Sequence, residues 1–437
     1  MTKTLTPADQ TEVAAAVRAA YGEKTAVYPI GGGAGLDYGV TPTEPGLGLS
    51  LGKLDRLVDY QPDDLTITVE AGMTLAKLSK ILVRRKQRLP IDVVLPDRAT
   101  VGGAAAVNAS GPRQFAGGTM RDFVLGFTAV DGQGTIFSGG GRVLKNAAGY
   151  NLGRLMVGSL GTLGIITQLT LMVRPMPETS ALVVCDPPNL HTADKLIADL
   201  LQSPIRPAAV ELALGPERQE NPVLVSMPKG AAARLIVGFE GPALEVQWML
   251  DTLRDMWQAT QRVPGIASPM TVTNARARSL WDWLADFPAQ VQITVPPSAV
   301  TKMIGAIVSL DPDCTIQAHA GNGIVRVKFS DSKLSGPQLN HVPTAGVMTG
   351  KATDELEKQT PFASLLRRRL RPLVEDAGGK LSVLKNPQGN GLTCRDVWGP
   401  KADAFAVMQS LKDRFDPAGI LNPGRFIFEN QPVFSPR

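Results

Sequence analysis

Cysteine and histidine are scarce in this chain, three of each among 437 residues. Cys185, Cys314 and Cys394 stand far apart and make no C-x-x-C. That spacing excludes a self-contained zinc site or a cysteine-ligated iron–sulfur cluster, and it gives a disulfide framework no material. His191, His319 and His341 are the whole supply of imidazole, so histidine chemistry has few places to sit. No apolar run reaches the roughly 18 to 20 residues of a transmembrane segment. The N-terminus also lacks the basic-then-apolar layout of a signal peptide, so a cytoplasmic address is expected.

What is present describes an ordinary globular chain, 43% hydrophobic and 19% charged, long enough for two or three domains. The net charge of +5 comes in short runs, Arg84-Arg85-Lys86 and Arg367-Arg368-Arg369, set inside apolar-periodic stretches. Such runs read as solvated helix faces, and no nucleic-acid partner is expected. A basic docking surface for an acidic partner subunit stays open.

Thr6-Pro7-Ala8-Asp9 has the form of a capped helix start, followed by Val13, Val17 and Tyr21 at helical spacing; a helix is predicted near 7–22. A short strand, Ala26-Val27-Tyr28-Pro29-Ile30, then runs directly into Gly31-Gly32-Gly33-Ala34-Gly35. Residues 65–70 alternate as a strand does, and a helix follows carrying Leu75, Leu78, Ile81 and Leu82. Between 96 and 164 glycine is abundant, which means backbone packed closely against something. Beyond Pro177 the texture changes. Amphipathic stretches near 191–202, 243–257 and 298–309 alternate with strands near 208–214, 233–239, 291–295 and 324–329. This rhythm predicts a separate α+β domain with an antiparallel sheet, followed from about 400 by one more helix and a turn-rich tail.

Three successive glycines can turn several backbone N–H groups toward one point, because a residue without Cβ reaches φ > 0 and approaches a ligand closely. Such a nest suits a pyrophosphate, although a plain tight turn explains the segment equally well taken alone. It is not a Walker A loop, having no Gly-Lys-Ser/Thr, nor a G-x-G-x-x-G fingerprint. Pro96-Asp97-Arg98-Ala99-Thr100-Val101-Gly102-Gly103 offers a second set of amides after a strand, with a helix starting at the second glycine. Two nests can clasp one diphosphate. A buried small-residue helix is the other reading, and both can hold.

Taken in order, Pro29 to Gly35, Ala99-Thr100-Val101-Gly102-Gly103, Arg121-Asp122-Phe123-Val124-Leu125-Gly126 and the run from Gly149 to Ile166 resemble the vanillyl-alcohol-oxidase/p-cresol methylhydroxylase (PCMH) type of FAD-binding fold. Within it, Ser110-Gly111-Pro112-Arg113, the segment from Gly141 to Tyr150 and the tail from Asp416 to Arg425 are most similar to the FAD-binding subunits of glycolate oxidase. The resemblance implies an α+β protein: a two-subdomain flavin domain over 1–177, an α+β cap over 178–399 and a segment, 400–437, that packs back on the flavin domain. It implies that Pro29, Gly31, Gly32, Gly33, Ala34, Gly35, Leu36, Pro96, Thr100, Gly102 and Gly103 clasp the pyrophosphate. Gly118, Thr119, Ser159, Ile165 and Ile166 would line the remainder of FAD. Covalent members often carry a histidine in or beside the first loop; this loop has none, so non-covalent FAD is expected.

Oxidising a 2-hydroxy acid requires a base for the hydroxyl proton and a cation for the carboxylate. Gln317-Ala318-His319-Ala320-Gly321-Asn322-Gly323 resembles the H-x-G-D-G-N-x-H motif of catalytic relatives, but lacks its acid and has Ile324-Val325-Arg326 where a second histidine falls. One histidine cannot assemble a metal site, and none is expected. His319 is the candidate base, with a structural role as the alternative. Arg425 is the second catalytic candidate, facing the flavin ring or tying the tail down. Lys145 and Tyr150 lie in a segment entering the flavin region, and His191 and His341 read as surface residues. The resemblance implies partners: a paralogous catalytic FAD subunit and an iron–sulfur subunit, through which alone the chain would meet the inner membrane.

Overall fold

The computed structural model describes residues 1–437 except 2, 43, 142–151, 220–231, 261–269, 335–360, 387–390 and 429–437. Lys145, Tyr150 and His341 lie outside the described residues. The first helix, Gln10–Glu23, begins later than its sequence suggested. Asp9 rather than Thr6 caps it, its carboxylate accepting the amides of Thr11 and Glu12 at 2.8 and 2.9 Å. Val13, Ala14 and Val17 on its inner face pack on a small parallel sheet in the order Lys3–Leu5, Gly46–Ser50, Ala26–Ile30.

A five-stranded antiparallel sheet follows, ordered Leu57–Gln61, Thr66–Glu70, Ile165–Met172, Val124–Val130, Ile136–Gly140. Helices Leu75–Val83 and Val101–Ala106 close one face of it, burying Leu78, Leu82, Val101 and Ala105 against Ile67, Val69 and Leu169. The two sheets are the paired subdomains that the sequence led us to expect.

The remaining strands form an eight-stranded antiparallel sheet: Met270–Thr273, Thr179–Cys185, Arg234–Gly241, Ala209–Leu214, Thr315–His319, Ile324–Lys328, Val291–Thr294, Lys380–Val383. Alternation along Thr179–Cys185 sends Ala181, Val183 and Cys185 to one layer and Leu182 and Val184 to the other. Helices Leu190–Gln202, Ala243–Thr260 and Val300–Leu310 cover the first layer. Asn274–Ala285 covers the second and lays the Trp281 ring on Gly238, where a Cβ would stand 2.3 Å from the ring. The architecture is α+β throughout.

Ion pairs on Glu240 help join the cap sheet to the flavin domain. Arg113 bridges Asp92 at 2.5 Å and Glu240, on strand Arg234–Gly241, at 3.0 Å, and Arg88 reaches the same Glu240. The tail returns to the first sheet: the Val27 amide donates to the Ile420 carbonyl at 2.7 Å and the Asn422 amide to the Val27 carbonyl at 2.9 Å.

Candidate flavin and substrate site

Strand Ala26–Ile30 delivers the glycine loop against residues 98–100, and the contact explains the glycines. A Cβ on Gly31 would stand 2.3 Å from the Thr100 hydroxyl, and one on Gly32 only 1.5 Å from the Arg98 carbonyl. Gly33 has φ +72°, where side chains are disfavoured. None of the amides of Gly31, Gly32, Gly33, Ala34 or Gly35 donates to an acceptor among the described residues. Five free N–H groups on one turn fit a diphosphate, whose oxygens satisfy them.

The second cluster differs from its sequence reading. Thr100 caps helix Val101–Ala106 and its hydroxyl accepts the Gly103 amide at 3.2 Å, while the Gly102 amide donates to the Ala71 carbonyl at 2.8 Å. These amides are used inside the protein. Gly102 is small because Ala71 lies beneath it, a Cβ there meeting the Ala71 methyl at 2.6 Å. The remaining expected residues scatter by role. Gly118, at φ +88°, and Thr119 form the start of a short helix, the Thr119 amide donating to Asp122 at 2.8 Å. Ser159, Ile165 and Ile166 are buried, and the Ser159 hydroxyl donates to the Met156 carbonyl. Pro29 packs beside the 158–162 turn, whose Gly161 would crowd it with a Cβ at 2.9 Å. Pro96 and Leu36 are exposed.

Arg425 makes the contacts of a tie. Its Nη2 donates to the Gly35 carbonyl at 3.2 Å and to that of Leu36, while its own carbonyl accepts the Val40 amide at 3.1 Å. Burial pulls its pKa down, opposed by Asp37 and Tyr28. Asn422, left-handed at φ +45°, donates through Nδ2 to the Leu160 carbonyl at 2.6 Å. Behind them the buried Lys412–Asp416 pair, 2.5 Å apart, spends its remaining bonds on the carbonyls of Thr162 and Leu421 and the amides of Ile420 and Leu421.

His319 ends strand Thr315–His319 directly across from Glu211. Both are buried, at 1% and 0% exposure, which commits each to the other. Imidazole Nδ1 lies 2.7 and 2.9 Å from the two carboxylate oxygens, and Gln317 Nε2 donates to the same carboxylate at 2.9 Å. A proton on Nδ1 shared with Glu211 leaves the lone pair on Nε2, which has no partner among the described residues. Arg326 stands nearby, half-buried. Its Nε donates to Gln292 at 3.2 Å and its Nη2 to the Ser110 carbonyl at 2.9 Å, leaving Nη1 without a partner among the described residues. Burial pulls its pKa down; Glu211, Tyr38 and Asp92 act the other way.

Glu211 escaped the sequence reading. Its signal was a single carboxylate inside the apolar strand Ala209-Val210-Glu211-Leu212-Ala213-Leu214, facing a strand that ends in the lone candidate histidine. His191, by contrast, is an exposed residue of helix Leu190–Gln202, as read.

Residues 2–140 match the model of the FAD binding domain and residues 398–426 that of the C-terminal domain of FAD linked oxidases. The chain is 27% identical over 420 residues to glycolate oxidase subunit GlcD of Bacillus subtilis, covering 91% of this chain and 83% of that one. It is 42% identical over 125 residues to glycolate oxidase subunit GlcE of Escherichia coli, covering 28% of this chain and 36% of that one. Among solved structures, alkyldihydroxyacetonephosphate synthase superposes with a TM-score of 0.65 at 17% identity, covering 96% of this chain and 75% of that one. The chain thus carries both matched domains of FAD linked oxidases on an α+β fold of the kind found in flavin-dependent relatives, and its cofactor is FAD.

Proposed function

We propose that the chain is the FAD-binding subunit of a complex that oxidises glycolate or a similar small 2-hydroxy acid, with residues 1–177 holding the flavin, 178–399 forming the cap and 400–437 returning to the flavin domain. The observation that carries this reading is the buried His319–Glu211 pair, whose Nε2 has no partner among the described residues. When bound, FAD supplies the hydride acceptor. Glu211 holds the Nδ1–H and so keeps the Nε2 lone pair available for the substrate hydroxyl proton. The free Nη1 of Arg326 offers the cation for the carboxylate. Relatives with GlcD and GlcE in their names support a place in a glycolate oxidase complex. The absence of a C-x-x-C from the sequence supports a separate iron–sulfur subunit as the exit for electrons. With neither histidine nor cysteine in residues 29–36, the flavin is held without a covalent bond.

One observation favours a second reading, in which the chain carries flavin and electrons beside a paralogous catalytic subunit and turns over no substrate itself. His319 is almost fully buried, so substrate reaches it only if the cap opens. Anaerobic addition of glycolate to the purified chain separates the two. Bleaching of the visible flavin bands, and turnover with an artificial acceptor at roughly 1 s⁻¹ or more, makes the chain an enzyme by itself. Bands that bleach only after the partner subunits are added support the second reading. A chain that neither contains nor takes up FAD overturns both.

A further inference from the structure

We propose that Arg98 is the cation of the flavin diphosphate site, pairing with the phosphates that the free amides of residues 31–35 receive. The inference rests on the flavin reading of the glycine loop and adds a residue that the sequence motif did not single out. Arg98 is fixed to this loop through its backbone, since its carbonyl occupies the space a Gly32 side chain would need. Its side chain turns back over the same loop: a Cβ on Gly33 would lie 3.3 Å from Arg98 Nη2. The guanidinium is exposed and makes no hydrogen bond or ion pair with any described residue.

A diphosphate brings two negative charges, and amide N–H groups supply only partial positive charge. An unpaired guanidinium beside five unpaired amides completes the balance and adds charge-assisted hydrogen bonds. Because the site is open to water, the attraction is screened by salt, which gives it a signature that packing lacks.

The test is FAD affinity of the apoprotein, read from the change in flavin fluorescence at low and at physiological salt, with inorganic pyrophosphate as a competitor. Arg98→Gln is expected to raise the FAD Kd about tenfold at low salt, to flatten its dependence on salt and to weaken competition by pyrophosphate. Arg98→Lys is expected to recover most of the affinity and the salt dependence. Thermal melting of the apoproteins shows whether the variants fold alike. Arg98→Gln binding FAD as tightly as the parent chain, with the same salt dependence, overturns the assignment while leaving the flavin site standing. A parent chain that fails to bind FAD at all removes the site together with the assignment.

Discussion

Glu211 and His319 sit opposite each other on adjacent antiparallel strands, the carboxylate oxygens 2.7 and 2.9 Å from imidazole Nδ1. Replacing Glu211 by Gln keeps the shape but turns an acceptor into an amide able to donate to Nδ1. The proton then moves to Nε2 and the base is lost. Glu211→Gln is expected to slow flavin bleaching by glycolate about 100-fold or more, with FAD content unchanged; stopped-flow absorbance without oxygen measures it. A variant that bleaches at the parent rate excludes the pair from the chemistry.

Arg425 spends one nitrogen on two carbonyls of the glycine loop. Arg425→Ala therefore loosens the loop and is expected to weaken FAD binding by about tenfold, on the order of one charge-assisted hydrogen bond. Arg425→Lys, which still presents one nitrogen, is expected to restore part of it. Equilibrium titration with FAD distinguishes this from a role at the flavin ring, which would change the reduction rate and spare the affinity.

At Gly32 the constraint is steric. A Cβ placed 1.5 Å from the Arg98 carbonyl cannot be accommodated without parting the two loops. Gly32→Ala is expected to purify colourless while keeping its far-ultraviolet circular dichroism, whereas Gly141→Ala, whose added Cβ meets nothing within 4 Å among the described residues, is expected to stay yellow.

Asp396 gives a pH dependence. Burial raises its carboxyl pKa, but hydrogen bonds from Arg367 and from the Thr393 amide and hydroxyl more than offset this, leaving it below the usual carboxylate range. A depressed folded-state pKa stabilises the fold above the unfolded value near about 3.9, and that contribution fades as pH falls through the folded one. Asp396→Asn is expected to cost about 2 kcal/mol at neutral pH. The difference from the parent chain should shrink in melts taken progressively below about pH 4.

Gly238 tests the cap. Its missing side chain is the seat of the Trp281 ring, so Gly238→Ala is expected to destabilise the protein by about 1–3 kcal/mol through overpacking. Denaturant unfolding followed by tryptophan emission reads the loss.

Much of this was legible in the sequence because its signals are local. Alternation placed strands such as Ala209–Leu214 and Ile324–Lys328, and helical spacing placed Leu75–Val83. The first glycine loop was legible too, since a strand ending in three glycines leaves amides with few ways to be satisfied. The second cluster misled for an equally local reason. Nothing in Gly102-Gly103 shows that Thr100 and the Ala71 carbonyl have already taken their amides. Glu211 and His319 are separated by more than a hundred residues, and only the strand register brings them together. Arg425 reads from sequence as facing the flavin ring or tying the tail down, and its contacts with the Gly35 and Leu36 carbonyls come into view only in the folded chain.

The pairing of Val27 with Leu421 sets a timetable for the protein's birth. The strand that carries the glycine loop leaves the ribosome well before its edge partner, which lies almost four hundred residues further along the chain. At roughly 5–20 residues per second, the nascent strand waits on the order of half a minute for it. Cofactor loading is therefore a late event in biogenesis, and translation that stops short of residue 421 leaves a flavin domain whose first sheet has an open edge.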